Sequence, residues 1–192
     1  KMSPSTLDEL PLHEVSLVHV SGINAGLSDT CAEMMRALFD RCAASSTPIS
    51  FDVNYRPGVW EIEQAAPALL DLARRADIVF VGRDEAATLW STTDAASIAT
   101  LILDEQYSTG TLVVKDGGIG ATEFSASGTR FVAARSVDVV EVVGAGDAFA
   151  AGYLSGMANG KDAHGRLSMG HDLAARALSS TSDFVPAVEL GA

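Results

Sequence analysis

Short apolar runs alternate with amphipathic helical stretches along most of this chain, and that rhythm constrains its fold more than any other feature. Ser16-Leu17-Val18-His19-Val20 ends at Ser21-Gly22 and reads as a buried strand. Asp29 to Ala43 follows with an apolar stripe of Cys31, Met34, Met35, Leu38 and Cys42, the spacing of one helix face, and Thr30 with Glu33 is expected to form its capping box. Ile49–Val53 is the next strand, Asn54 to Gly58 a turn, and Ile62 to Arg75 a helix with Leu69, Leu70 and Leu72 inward. Asp77–Val81 and Thr111–Lys115 read as further strands, with helices at Asp84–Trp90 and Ala95–Glu105 between them.

The rhythm then changes. Ala121–Ala126 and Arg130–Ala134, joined across Ser127-Gly128-Thr129, predict a hairpin. A largely β-branched run, Val137–Val143, precedes two helices at Ala148–Ala158 and Leu167–Leu178. The expected class is α/β: a layered α/β/α arrangement on a mostly parallel sheet, with the late antiparallel hairpin at one edge. The 192 residues suit a single domain, and residues 1–10, being polar, are expected to be loosely ordered.

Charge and cysteine content narrow the function. A net charge of −12 opposes binding to nucleic acid or to an anionic membrane surface. It leaves a nucleotide open as substrate, because ATP arrives with Mg²⁺ and is held by local backbone dipoles. The cysteines, Cys31 and Cys42, lie about three turns apart on one helix, too far for a disulfide, and read as small buried apolar residues in a cytoplasmic protein. His13, His19, His164 and His171 show no metal-ligand spacing and read as structural or surface residues.

The segment richest in chemistry is Val142-Val143-Gly144-Ala145-Gly146-Asp147-Ala148-Phe149. A β-branched run stops at small residues, and a helix starts at or just before Asp147. The first turn of a helix offers unpaired N–H groups and the positive end of its dipole, a cradle for a phosphate. A carboxylate beside it can take the proton of an attacking hydroxyl. A tight strand-to-helix turn with a first-turn charge would look the same. A dinucleotide fingerprint fits less well, since its third glycine falls on Phe149. No Gly-x-x-x-x-Gly-Lys-Ser/Thr loop and no His-Arg-Asp loop is present, so neither P-loop nor protein-kinase chemistry is supported.

Val143 to Gly152 resembles the second signature of ribokinase-like (pfkB) sugar kinases. The resemblance implies that Asp147 is the catalytic base and that Gly144, Ala145 and Gly146 form the anion hole. The family often has Asp-Thr-Thr before the glycine, where it builds a monovalent-cation site. Glu141-Val142-Val143 stands there instead, a departure that touches the cation and not the base. Asp52-Val53-Asn54-Tyr55-Arg56-Pro57-Gly58-Val59-Trp60 resembles the element of members acting on ketodeoxy sugar acids, with Asn54 and Arg56 at the substrate. Gly82-Arg83-Asp84-Glu85 falls where the family has Asn-x-x-Glu. The resemblance puts Glu85 on Mg²⁺ through water, and Gly82 replaces the Asn. Val113 to Gly120 resembles the strand and glycine turn under the nucleotide, with Lys115, Gly117 and Gly120 along the phosphates.

The resemblance runs from about Val15 to Val185. It implies an ATP- and Mg²⁺-dependent sugar kinase, acting on a sugar or a sugar acid such as 2-keto-3-deoxygluconate. It further implies that the chain is the C-terminal, nucleotide-binding part of a longer protein, whose N-terminal portion holds the lid, much of the sugar pocket and the dimer contact. The competing expectation is a non-catalytic nucleotide-binding or interaction fragment, favoured by the departures at Gly82 and at Glu141 to Val143.

Overall fold

The computed structural model describes residues 2–103 and 110–180. In chain order the elements are β1 (Val18–Ser21), α1 (Ile23–Gly26), α2 (Asp29–Ser45), β2 (Ile49–Asp52), α3 (Ile62–Arg75), β3 (Ile78–Gly82), α4 (Arg83–Trp90), α5 (Ala95–Ile102), β4 (Thr111–Asp116), β5 (Gly120–Ser125), β6 (Gly128–Ala133), α6 (Ala145–Ala158) and α7 (Ala163–Leu178). The strands form a six-stranded sheet in the order β1-β2-β3-β4-β5-β6. β1 to β4 pair in parallel, with Val20 opposite Phe51, Phe51 opposite Val79, and Phe80 opposite Val113. The β5–β6 hairpin closes one edge, as the sequence predicts.

The described residues fall into two compact units: 2–103, 110–116 and 123–129 in the first, and 117–122 with 130–180 in the second. In the first, every crossover from β1 to β4 steps one strand in the same direction. A right-handed connection repeated that way puts its helices on one face of the sheet. The core agrees. Ile49, Phe51, Val79, Val81, Leu112 and Val114, alternate residues of β2 to β4, cluster with Met35 and Leu38 of α2, Leu69 and Leu72 of α3, and Ile98 and Ile102 of α5. The intervening residues Ile78, Phe80 and Val113 are buried as well, so β2 to β4 are covered on both sides. Each fully buried large aliphatic side chain contributes about 1.5–3 kcal/mol.

Three local expectations change, and the β-branched run before α6 takes no regular form. The N-cap of α2 is Ser28, whose Oγ accepts from Cys31 N–H at 3.2 Å, rather than Thr30. Residues 4–9, expected to be loose, form a 3₁₀ helix with Leu7 buried, and Asp8 pairs with Arg41 of α2 at 2.5 Å. The helix expected to reach Glu105 ends at Ile102, and residues 104 and 105 lie outside the described residues. The β-branched run 137–143 forms no strand. The N–H groups of Val140 and Glu141 donate to Leu178 O instead, and Val139, Val140, Val142 and Val143 are exposed.

The second unit is built on α6 against α7. Phe149, Gly152, Tyr153 and Gly156 are buried along α6. A Cβ at Gly152 would lie 2.4 Å from Met169 O, and one at Gly156 3.0 Å from Arg166 Cα. Glycines at i and i+4 therefore let the two backbones touch, a spacing that shares one helix face.

Candidate active site

Parallel strands bring their carboxyl ends to one side, where open α/β sheets bind ligands. The first unit gathers a polar group there. Asp52 ends β2 at 2% exposure, and its Oδ2 accepts from Lys115 Nζ at 2.8 Å. Lys115 sits on β4, two strands away, and the Asp52 and Lys115 side chains reach each other past β3. Asn54 follows with φ 41°, a left-handed conformation that Asn tolerates. The next peptide turns Tyr55 N–H onto Glu85 Oε1 at 3.0 Å.

Glu85 lies in the first turn of α4 and folds back on its own strand. Its Oε2 accepts from Gly82 N–H at 2.8 Å, and Arg56 Nη1 stands 3.7 Å from its Oε1. A Cβ at Gly82 would come within 3.1 Å of Glu85 Oε2, so the glycine gives this carboxylate room. Burial raises the Glu85 carboxyl above its usual value, and the Lys115 charge and the Gly82 amide pull the other way. The Arg56 side chain is 56% exposed and donates to Tyr55 O, which leaves much of its guanidinium facing solvent. Asp52 Oδ1, Asn54 Oδ1 and Ser21 Oγ are buried without a protein partner, three oxygens able to meet water or ligand.

Asn54, Arg56, Glu85 and Lys115 are thus brought together. A cleft lined by Gly26, Ser28, Arg36, Trp60 and Gln64 is a separate feature, and none of the four lines it. Asp52 and the Tyr55 amide were not singled out by sequence reasoning. A carboxylate closing the Ile49-Ser50-Phe51 strand was the available signal, since such a group is buried only with a partner.

In the second unit Gly144 is the N-cap of α6 with φ 79°, a backbone state suited to glycine. A Cβ there would meet nothing within 4 Å, so the demand is on conformation rather than space. No side chain caps this terminus; of the first-turn amides, Ala145 N–H donates to Val142 O at 3.4 Å. Asp147 lies in that turn and is exposed. Just upstream, Glu141 Oε1 accepts from Val142 N–H at 2.8 Å and Val143 N–H at 3.1 Å. Its carboxylate is therefore turned onto its own chain. Gly117, in the turn after β4, and Gly120, which opens β5, have φ 48° and 152°, and a Cβ on Gly120 would lie 2.4 Å from Val132 O.

The model of the pfkB family carbohydrate kinases matches residues 1–187. The chain belongs to this family. It is 27% identical over 192 residues to 5-dehydro-2-deoxygluconokinase of Bacillus subtilis (strain 168), covering 98% of this chain and 59% of the relative. It is also 27% identical over 183 residues to 2-dehydro-3-deoxygluconokinase of Dickeya dadantii (strain 3937), covering 91% and 58%. A candidate ribokinase II from E. coli, solved in complex with ATP and Mg²⁺, superposes with a TM-score of 0.81 at 25% identity, covering 93% of this chain and 57% of that one. This pfkB chain therefore spans somewhat under three-fifths of the length of the relatives it matches.

The residues present fit a Mg²⁺-nucleotide in kind. Mg²⁺ takes hard oxygen ligands and keeps part of its water shell. Glu85, Asp52 and Asn54 supply such oxygens, two of them without a protein partner. Among the described residues no group of three or more His, Cys, Asp and Glu side chains is placed to hold a metal ion. No described helix is long and apolar enough to cross a membrane.

Proposed function

We propose that the protein containing this chain is an ATP-dependent kinase of a sugar or sugar acid, with 2-keto-3-deoxygluconate or a related keto-deoxy acid as the preferred class. The observation that carries the reading is the terminus of α6: a left-handed Gly144, first-turn amides without a side-chain cap, and Asp147 within the same turn. Family membership and the names of the relatives support it.

In this reading Asp147 accepts the proton of the acceptor hydroxyl. The hydroxyl oxygen bonds to the γ-phosphorus as the bridging P–O bond breaks, and ADP leaves with the bonding pair. The amides of Gly144, Ala145 and Gly146 hold the charge on the transferred group. Lys115 and the turn from Gly117 to Gly120 line the remaining phosphates. Asn54 and the exposed guanidinium of Arg56 hold the acceptor, and a fork of N–H donors suits a carboxylate. Glu85 would hold Mg²⁺ through water, and the ion would supply charge screening for the phosphates. Glu141, engaged with its own amides, stands where a monovalent-cation site would need free oxygens. ATP and Mg²⁺ are the required cofactors, the chain is the C-terminal nucleotide-binding part of a cytoplasmic enzyme, and the dimer contact lies in the rest of the protein.

The test is ADP release by the full-length protein with Mg-ATP against 2-keto-3-deoxygluconate, 5-keto-2-deoxygluconate, ribose and fructose. Turnover of a keto-deoxy acid that falls at least about 10³-fold in Asp147→Asn is expected, the scale of losing a proton acceptor and a local charge together. An unchanged rate in that variant would sink the assignment. The turned-in Glu141 also favours a second reading, a nucleotide-binding chain without turnover. ATP binding by the full-length protein, with no acceptor in the panel consumed, would select it.

A further inference from the structure

The ring of His171 joins three elements of the second unit and is used by nothing in the mechanism above. It is 5% exposed, in α7. Its Nε2 lies 3.0 Å from Val132 O of β6. A carbonyl only accepts, so Nε2 carries the proton and the ring is held as one tautomer. Its edge packs on Phe149 of α6 at 5.0 Å between centroids and 72° between planes. Phe149 is held from the α7 backbone too, since a Cβ on Gly170 would lie 2.9 Å from Phe149 Cε2.

Phe149 follows Asp147 by two positions, about 200° around the helix. Phe149 is buried and Asp147 is exposed, on roughly opposite sides of the same turn. Whatever fixes the phenyl ring therefore fixes the rotation of α6 about its axis, and with it the direction of the carboxylate. A side chain tip about 6 Å from the axis moves by about 1 Å for each 10° of rotation, and a 1 Å misplacement can cost about 10²-fold in rate.

We propose that His171 is a positioning residue: anchored on Val132, it clamps Phe149 and so aims Asp147. The clamp holds in the neutral ring. Burial lowers the basicity of His171, the bond to Val132 O raises it, and Arg135 lowers and Asp172 raises it in turn. Those charges, Arg135 after β6 and Asp172 beside it on α7, pair with each other at 2.6 Å, and from α6 the contact is the uncharged ring of Phe149. Protonation would add a second donor, at Nδ1, to a buried ring whose hydrogen bond among the described residues is made through Nε2, so acid loosens the clamp.

This inference rests on Asp147 as the base, so the test carries a readout that does not depend on turnover. In the full-length protein, His171→Gln keeps a donor for Val132 O without the ring, and His171→Phe keeps a ring without the donor. Hydrogen exchange of the 145–158 segment, corrected for intrinsic rates, should be faster in both variants. In the native protein it should accelerate as pH falls below the usual imidazole range, and in the variants it should not. With the acceptor identified above, kcat per folded molecule should fall about 10–100-fold in at least the ring-deleting variant, with KM for ATP within about twofold. Native exchange in α6 in both variants would overturn the clamp. Native kcat in both, with Asp147→Asn inactive, would overturn its aim on Asp147 and leave the base assignment standing. Native kcat in Asp147→Asn would remove the base assignment, and the exchange data would then decide the clamp alone.

Discussion

Substituting Gly152 by alanine sets two opposing effects against each other. Ala is about 1 kcal/mol better than Gly inside a helix. At this site, however, the new Cβ would be placed 2.4 Å from Met169 O, 2.9 Å from Met169 C and 3.0 Å from Gly170 Cα. A relaxed C···O contact is about 3.3 Å, so α6 and α7 must part by about 0.9 Å. The obstacle is backbone and has no rotamer into which to retreat. A gap of that size forfeits about a quarter to a half of each contact across the interface, and Phe149, Tyr153 and Leu167, all buried there, lose it together. Overpacking of this kind costs about 1–3 kcal/mol. Because the obstacle is backbone, the clash should prevail, with a net loss of up to about 2 kcal/mol. The assay is urea unfolding of the full-length protein, with hydrogen exchange to locate the change in α6 and α7. Ala151→Gly, at the exposed neighbouring position, serves as control and should cost only the propensity difference of about 1 kcal/mol. If Gly152→Ala were as stable as the native protein or more so, the backbone contact argued here would be refuted.

Other perturbations follow from the same packing. Leu69→Ala should destabilise by about 2–5 kcal/mol in the same titration, since Leu69 is fully buried. It should not rescue Gly22→Ala, because a Cβ at Gly22 meets Val53 O at 2.1 Å as well as Leu69 Cδ2 at 2.6 Å, and only the second obstacle is removed. Lys115→Met should cost about 3 kcal/mol by leaving Asp52 buried without its cation, and adding Asp52→Asn should return part of that in a double-mutant cycle. Cys42 is 1% exposed and its thiol is pushed up by burial and by Asp77, so a disulfide reagent at pH 8 should label it slowly in the folded protein and fast in urea. His171, whose basicity is lowered on folding, contributes stability that is full above the usual imidazole value and is lost as pH falls through it towards the lower folded value. The acid limb of a stability–pH curve should flatten in His171→Phe.

The alternation of β-branched runs with amphipathic stretches was enough to place β1 to β4, α2 and α3 within a residue or two, because burial on both faces and a 3.6-residue stripe leave plain marks in sequence. The β-branched run Val137 to Val143 forms no strand. β-branched residues favour extended backbone, yet a strand needs a partner, and here the amide partner is a single carbonyl at the end of α7. Glycines were legible as turn residues at Gly144 and Gly117, where φ is positive. They were illegible at Gly152 and Gly156, since close helix approach depends on which other helix comes near. Of the candidate site, Asn54, Arg56, Glu85 and Lys115 could be found through motif resemblance. The counterion of Lys115 and the anchoring role of His171 could not, because both depend on partners 63 and 39 residues away.

If Lys115 meets the phosphates as proposed, the Lys115–Asp52 pair bears on affinity as well as on stability. A free lysine side chain carries about 2 kcal/mol of rotamer entropy, which is surrendered whenever its ammonium is pinned. In this fold that surrender happens once, during folding, when Nζ settles at 2.8 Å from a carboxylate that is itself almost wholly buried. An anion reaching the strand ends meets an ammonium whose tether is already ordered, and has only to share or exchange the counterion. The cost of immobilising one long side chain has been moved from the binding equilibrium to the folding equilibrium, where a whole core is available to offset it.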